Sequence, residues 1–461
     1  MLQIDFVDSN GRCFGDEVEE ADLTGGVLDL WTMECSEEAN EDFSRLSKLL
    51  SQTAGKLQSI IIRDVSQVSP EYFALLTSSC NKTNELRLEE CTLSDAVCSC
   101  LMSSMTHPDG IKDLSIERPV NPHALSAYQA ELLCKGVASS STLEKLELSI
   151  RLANIEDSGK ALAQALQQNR SIKALKLHTP KLHNCSVLGD IFKAATTNGR
   201  LETLDLELHH GERRLPSSLL QECLCTEDCS VKSLMLKNIA LDSDSWDNTK
   251  QNTSATTLHL NEANLTCHDA MRMVRSFKSL KHLNVNHNPF LELKPLEELL
   301  LEQECKLESL VVSMKSETVD KHDEWVEFFR RIKRMKSLKR ISFPVAAVAH
   351  PERKKTLLEA LYVNTNLEST LLMDDKGKFE PDVFISFCYH FSVPLSLNRG
   401  GRRALQDQPS DQPLKRNLWP LVLERAMRFK YYSVRDAWQA PTLRTRRLDV
   451  VYWLLREKLF T

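Results

Sequence analysis

The chain has 461 residues, 42% of them hydrophobic and 26% charged, a balance that excludes a disordered or fibrous polymer. Its net charge of -6 gives no general attraction to polyanions. By ordinary domain sizes the length corresponds to about three globular units, unless a repeat extends one long core.

Residues 1–24 are acidic and irregular, with one short strand predicted at Leu2 to Val7. Met1 to Glu20 has neither a basic start nor an unbroken apolar run, so no export signal is expected. No stretch of about 18 apolar residues offers a membrane span. The 14 cysteines are therefore read as thiols in a reducing compartment, cytoplasmic or nuclear.

A first leucine phrase stands at Leu28 and Leu30, followed by a helix-like run from Glu37 to Leu50. The phrase, an apolar triplet at spacing three then two, returns at Leu57/Ile60/Ile62, Ile111/Leu114/Ile116, Leu143/Leu146/Leu148 and Ile172/Leu175/Leu177. It continues at Leu201/Leu204/Leu206, Val231/Leu234/Leu236, Leu280/Leu283/Val285, Leu307/Leu310/Val312 and Leu338/Ile341/Phe343. Shortened copies lie at Leu86/Leu88, Leu258/Leu260 and Leu367/Leu371. Between Leu143, Ile172, Leu201 and Val231 the steps are 29, 29 and 30 residues. Each phrase predicts a short strand whose apolar residues enter a core while the intervening ones face out. Ala161, Leu162, Ala165 and Leu166 make one apolar helix face between phrases, and so do Leu357, Leu358 and Leu361. Helices ending in Asn or Gly before a strand predict left-handed caps. One such strand cannot bury its own apolar side, whereas a stack of them can.

The phrase resembles that of leucine-rich repeat proteins of the long, ribonuclease-inhibitor-like type. Leu86-Arg87-Leu88 with Cys91 and Leu93 carries the likeness, as do Leu258/Leu260 with Ala263 and Leu265, and Leu283/Val285 with Asn288 and Phe290. Other copies depart from it, with His209, Ile239 or Val65 at the Asn position. The resemblance covers residues 25–395, about 12–13 repeats. It implies an α/β solenoid, a curved horseshoe with parallel strands on the concave side and helices on the convex side. Residues 396–461 form a basic, aromatic C-terminal cap or tail, of a kind that resembles the ends of uncharacterised eukaryotic members.

Strand parity places Glu85, Arg87, Glu89, Asp113, Glu117, Lys145, Glu147, Lys176, Asp205, Glu207 and Lys237 outward, with His259, Asn261, His282 and Asn284 further on. Arg63 and Asn286 are expected on the same face, and Leu208 as an apolar residue turned outward. Mixed signs suit a protein partner of complementary charge better than a phosphate backbone, which every carboxylate repels. The same residues also keep a strand face soluble.

No GxxxxGK[ST], HExxH, GxSxG or kinase set occurs, so neither an enzyme nor a cofactor is expected. Cys98/Cys100 and Cys223/Cys225/Cys229 lack the paired spacing of a metal site and read as small buried residues. Arg330 to Arg340 is a basic run, and the tail from Arg399 holds 14 Lys/Arg against 6 Asp/Glu with Trp419, Trp438 and Trp453 among them. The run reads as a solvated helix face or as a docking surface. The tail reads as a cap or as a segment that docks to protein, RNA or anionic lipid.

The leading expectation is a non-enzymatic scaffold binding a partner protein through the concave strand face. Two alternatives stand beside it: a regulator of a small GTPase, resembling GTPase-activating leucine-rich repeat proteins, and a substrate-recruiting adaptor for ubiquitin ligation.

Overall fold

The computed structural model describes residues 2–7, 13–14, 27–32, 59–63 and 74, and residues 84–373 apart from short interruptions. The run Glu37 to Leu50, Leu57, Val65, His209, the end of the repeat region beyond 373 and the tail 396–461 lie outside the described residues. The chain divides into two compact units, Met1–Ala255 and Thr256–Thr461.

The first unit holds β1 (Leu2–Val7), β2 (Cys13–Phe14), β3 (Val27–Thr32), β4 (Ser59–Arg63), β5 (Glu85–Glu89), β6 (Asp113–Glu117), β7 (Lys145–Ser149), β8 (Ala174–Thr179), β9 (Thr203–Leu208), β10 (Arg214–Pro216), β11 (Ser233–Lys237) and β12 (Ala240–Asp242). From β3 to β9 and on to β11, each strand pairs in parallel with the next. Strand β1 lies antiparallel to both β3 and β2, so the acidic start contributes two strands rather than one. A separate parallel pair joins β10 to β12. Returning in parallel needs a crossover, and helices supply it: α1 (Asp95–Thr106), α2 (Ala127–Ser139), α3 (Ile155–Gln168), α4 (Cys185–Thr197) and α5 (Ser217–Leu224). Consecutive helices pack side by side.

The second unit repeats the plan. Strands β13 (Thr257–Asn261), β14 (His282–Asn284), β15 (Ser309–Val311), β16 (Arg340–Pro344) and β17 (Ser369–Met373) pair in parallel in that order. Helices α6 (Cys267–Arg275), α7 (Lys294–Leu301), α8 (His322–Ile332) and α9 (Pro351–Val363) connect them. No helix among the described residues is long and apolar enough to cross a membrane. This alternation of leucine strand and helix is a leucine-rich repeat fold.

The apolar triplets form the core. Their described members, from Ile60 to Phe343, are at most 4% exposed. Leu114, Leu146 and Leu148 meet Met105, Leu133 and Val137 from the helices around one small apolar cavity. In the second unit Trp325, Phe328 and Phe329 of α8 cluster on Phe343 of β16, with ring centroids 5.4–6.4 Å apart. Local chemistry starts the helices. Ser126 and Gln129 form a reciprocal capping box at α2, and the Thr266 hydroxyl accepts from the Asp269 backbone N–H at α6. Gly159 lets α3 approach α4, since a Cβ there would stand 2.0 Å from Val187 Cγ1.

Leu208 corrects the expectation of an outward apolar side chain. It shares the parity of Leu204 and Leu206, pairs with Thr179 and is 4% exposed. The helix-ending asparagines also act otherwise than predicted. Asn364 is extended (φ -76°), and among the described residues of these turns only Gly199 takes positive φ (+72°). The asparagines instead fasten one repeat to the one before. Asn169 Nδ2 donates to the Val137 and Ser140 carbonyls (2.7 and 2.9 Å), while its Oδ1 accepts from the Ser171 and Ile172 N–H groups, both at 2.8 Å. Asn198 donates to Leu166 and Asn169, Asn364 to Ile332 and Met335, and Asn252 to Leu224. Each of these side chains is at most 4% exposed, so it satisfies carbonyls that water does not reach.

Candidate functional site

Because the ladders are in register, outward residues of successive strands stand in columns across the first unit. The middle column runs Arg87, Ser115, Glu147, Lys176, Asp205, Met235. The next contains Arg63 and Glu89, then Glu117, and further along His178, Glu207 and Lys237. Glu85, Asp113 and Lys145 open the strands in a third column. All twelve charged residues expected on this face, Arg63 included, are there.

The columns are cross-linked by charge. Arg63 pairs with Glu89 at 2.9 Å, and Arg87 reaches Glu85, Glu89 and Glu117 at 3.3, 3.5 and 3.9 Å. Lys176 donates to Glu147 and Lys237 to Glu207, while His178 Nε2 lies 3.4 Å from Glu207 Oε2. Ser115 Oγ donates to Glu117 Oε1 at 3.0 Å. Glu147 and Glu207 are only 8% and 9% exposed, so these pairs are partly desolvated and hold their geometry better than free surface pairs. Burial works against the charged Lys176 ammonium, and the Glu147 carboxylate outweighs it and raises the pKa.

Asp205 departs from this pattern. Its Oδ1 is buried without a hydrogen-bond partner. Burial pushes its carboxyl from the ordinary 3.8 up to about 6, with Lys176 opposing and Glu207 and Glu147 reinforcing the shift. His178 and Met235 were not singled out from the sequence. Both occupy outward positions of leucine phrases, and parity alone was enough to find them.

In the second unit the outward positions carry His259, Asn261, His282 and Asn284, all half-buried. His259 stands beside Asn284 in register. Burial, and then the neighbouring His282, lower the His259 pKa, so this imidazole is neutral at physiological pH. Asn261 Oδ1 and Asn286 Oδ1 are buried without partners. Asn286 is 7% exposed, as buried as Glu147 and Glu207 of the first unit. Asn288, fully buried, donates to the Leu260 and Val285 carbonyls and accepts from Ala263 and Leu265. Cys91 takes a similar place more weakly, its single thiol proton shared between the Ile62 and Glu89 carbonyls, each 3.4 Å from the sulfur.

One titratable cluster was missed in the sequence because its members meet only when repeats stack. His322, His350 and Glu352 bring their donor atoms within 4.8 Å of one another. His322 Nδ1 accepts from Arg353 Nε at 3.2 Å, and His350 Nδ1 accepts from the Glu352 backbone N–H at 3.3 Å. Those bonds put the remaining proton of each neutral ring on Nε2, and His322 Nε2 faces Glu352 Oε2 at 3.0 Å. A cation there would displace both protons beside a guanidinium and two helix N-termini, so the trio fits a capping network. Burial raises the Cys98 thiol to about 12 and the Cys225 thiol to about 11, away from the thiolate a metal needs. Three of the seven cations of the basic run are paired, Arg331 with Glu297 and Glu327, Arg330 with Glu327 and Lys339 with Glu308, while Lys333, Arg334, Lys336 and Arg340 are exposed.

No protein-family model matches the chain, and no curated protein matches it. Among solved structures it is similar to the leucine-rich repeat-containing protein LegL7 from Legionella pneumophila, at 14% identity and a TM-score of 0.38, over 79% of this chain and 97% of that one. It is also similar to a chain of the yeast Rad7 and Elc1 complex, at 15% identity and a TM-score of 0.35, over 77% and 91%. The fold assignment rests on this chain's own strand–helix repeat.

Proposed function

We propose that this chain is a non-enzymatic scaffold that holds a partner protein against the outward strand face of residues 1–255. The observation that carries the reading is the cross-strand network of Arg63, Arg87, Lys176 and Lys237 with their carboxylates. Side chains already fixed by partly buried ion pairs lose little freedom when a partner arrives, so the surface is pre-organised for recognition. Interleaved signs favour a protein of complementary charge over nucleic acid. The repeat is of the long, ribonuclease-inhibitor-like type, a reading supported by a full helix between strands that begin at Lys145, Ala174, Thr203 and Ser233. Residues 396–461 serve as its C-terminal cap.

Affinity capture with the full chain tests the proposal. Arg87→Glu combined with Lys237→Glu is expected to remove the recovered partner, while Glu131→Lys on exposed α2 retains it. Recovery unchanged by the strand-face reversal would remove the reading.

A further inference from the structure

On the outward face of the first unit every glutamate is matched by a cation, and Asp205 at its middle is not. Glu85, Glu89, Glu117, Glu147 and Glu207 each have a cation within ion-pair distance. Asp205 stands in register between Lys176 and Met235. The Lys176 ammonium is committed to Glu147 on the far side, and the Lys237 ammonium to Glu207. Among the described residues no cation reaches Asp205 within ion-pair distance, and its Oδ1 is both buried and unpartnered. Asp113 also lacks an ion pair, but none of its oxygens is buried without a partner.

A carboxylate oxygen shut away from water with no donor is costly to keep in the free protein. The methylenes and thioether of Met235, beside it in register, offer an apolar wall, and the flanking Glu207 and Glu147 add negative potential that Lys176 and Lys237 offset only in part. The missing element is a donor bearing positive charge. Guanidinium fits better than ammonium, because it is weakly hydrated, planar and able to give two parallel N–H bonds to one carboxylate.

We propose that Asp205 is the anchor of the strand face for an arginine side chain, carried on a basic segment of the partner protein. The inference rests on the strand face being the binding surface and adds the chemistry that the surface selects. The arginine seats against Met235 and donates to Asp205, leaving the Lys176–Glu147 and Lys237–Glu207 pairs in place. It thereby neutralises the one acid of the middle column that the protein leaves unmatched.

The test uses the full chain and an arginine hexapeptide as the probe, titrated by fluorescence anisotropy at low salt, with a glutamate hexapeptide as the reverse-charge probe. The wild-type chain is expected to bind the arginine peptide and not the glutamate peptide. Asp205→Asn weakens arginine binding by about tenfold, and Glu131→Gln on α2 leaves it unchanged. Thermal melting at neutral pH separates anchoring from a structural role: Asp205→Asn melts no lower than wild type, whereas loss of a structural carboxylate lowers melting and binding together. Absence of arginine-peptide binding by the wild type overturns the anchor, and so does equal binding by Asp205→Asn and wild type. If the Arg87/Lys237 reversal abolishes partner capture while Asp205→Asn still binds the peptide as wild type does, the anchor fails and the surface stands. If capture survives that reversal while Asp205→Asn loses the peptide, the surface reading fails at those residues and the anchor stands.

Discussion

The two units share a frame and differ in what they hold outward. In residues 1–255 the outward columns are acids and bases paired across strands, from Arg63–Glu89 to Lys237–Glu207. In residues 256–373 the corresponding positions of β13 and β14 carry no Asp, Glu, Lys or Arg: they are Thr257, His259, Asn261, His282 and Asn284. The inward residues do not distinguish the units, since Leu204 and Leu283 are equally buried. A repeat fold thus separates two duties by parity. Inward positions specify the strand, and outward ones vary at little cost to the frame.

That separation can be broken by altering the frame or sharpened by altering one face. The largest effect is expected from the frame. Leu204→Ala and Leu283→Ala each lower stability by about 3 kcal/mol in urea unfolding, through lost burial and the cavity left behind. A much smaller loss in one unit would mean that the frames are not equivalent. Removing the asparagine fastening comes next. Asn198→Ala and Asn364→Ala each cost about 2 kcal/mol, because carbonyls of the preceding repeat lose a donor that water cannot replace. Hydrogen exchange is expected to speed up in that preceding repeat, and exchange confined to the mutated turn would contradict the fastening role.

Asp205→Asn has the opposite sign. The folded carboxyl titrates near 6 against an ordinary 3.8 because burial disfavours its charge. The folded state therefore binds the proton more tightly, and stability falls as pH rises from about 4 to about 6. A dry site would make this about 3 kcal/mol, and solvent access reduces it to about 1 kcal/mol. Asp205→Asn should be more stable than wild type by that amount at pH 7, with the gain vanishing near pH 4. A loss of stability at pH 7 would contradict this assignment. The smallest effect belongs to single ion pairs. A double-mutant cycle on Arg63 and Glu89 is expected to give a coupling of about 0.5 kcal/mol that shrinks with added salt.

The strand frame was legible in the sequence because an apolar triplet that recurs with one helix between copies has few other uses. The strand at Leu2 to Val7 was also read from the sequence, and the outward positions followed from period-two parity. What escaped depends on contacts between repeats. Parity shows that Lys176 and Glu147 face outward, but only the ladder register makes them partners. Asn169 and Asn364 read as helix stops, while their function lies in carbonyls about 30 residues earlier, brought close by stacking. The β10–β12 pair is three residues long on each strand, too short to show a period. Parity counted one position further along β9 would have placed Leu208 in the core.

Hydroxyl-radical footprinting of the full chain with its captured partner tests the central claim most directly. His178 and Met235 stand on the outward face of the first unit, whereas Tyr128 and Tyr362 are exposed on helices α2 and α9. Binding is predicted to protect His178 and Met235 from oxidation and to leave both tyrosines as reactive as before. Protection of the tyrosines with His178 and Met235 unchanged would contradict a partner held on the strand face.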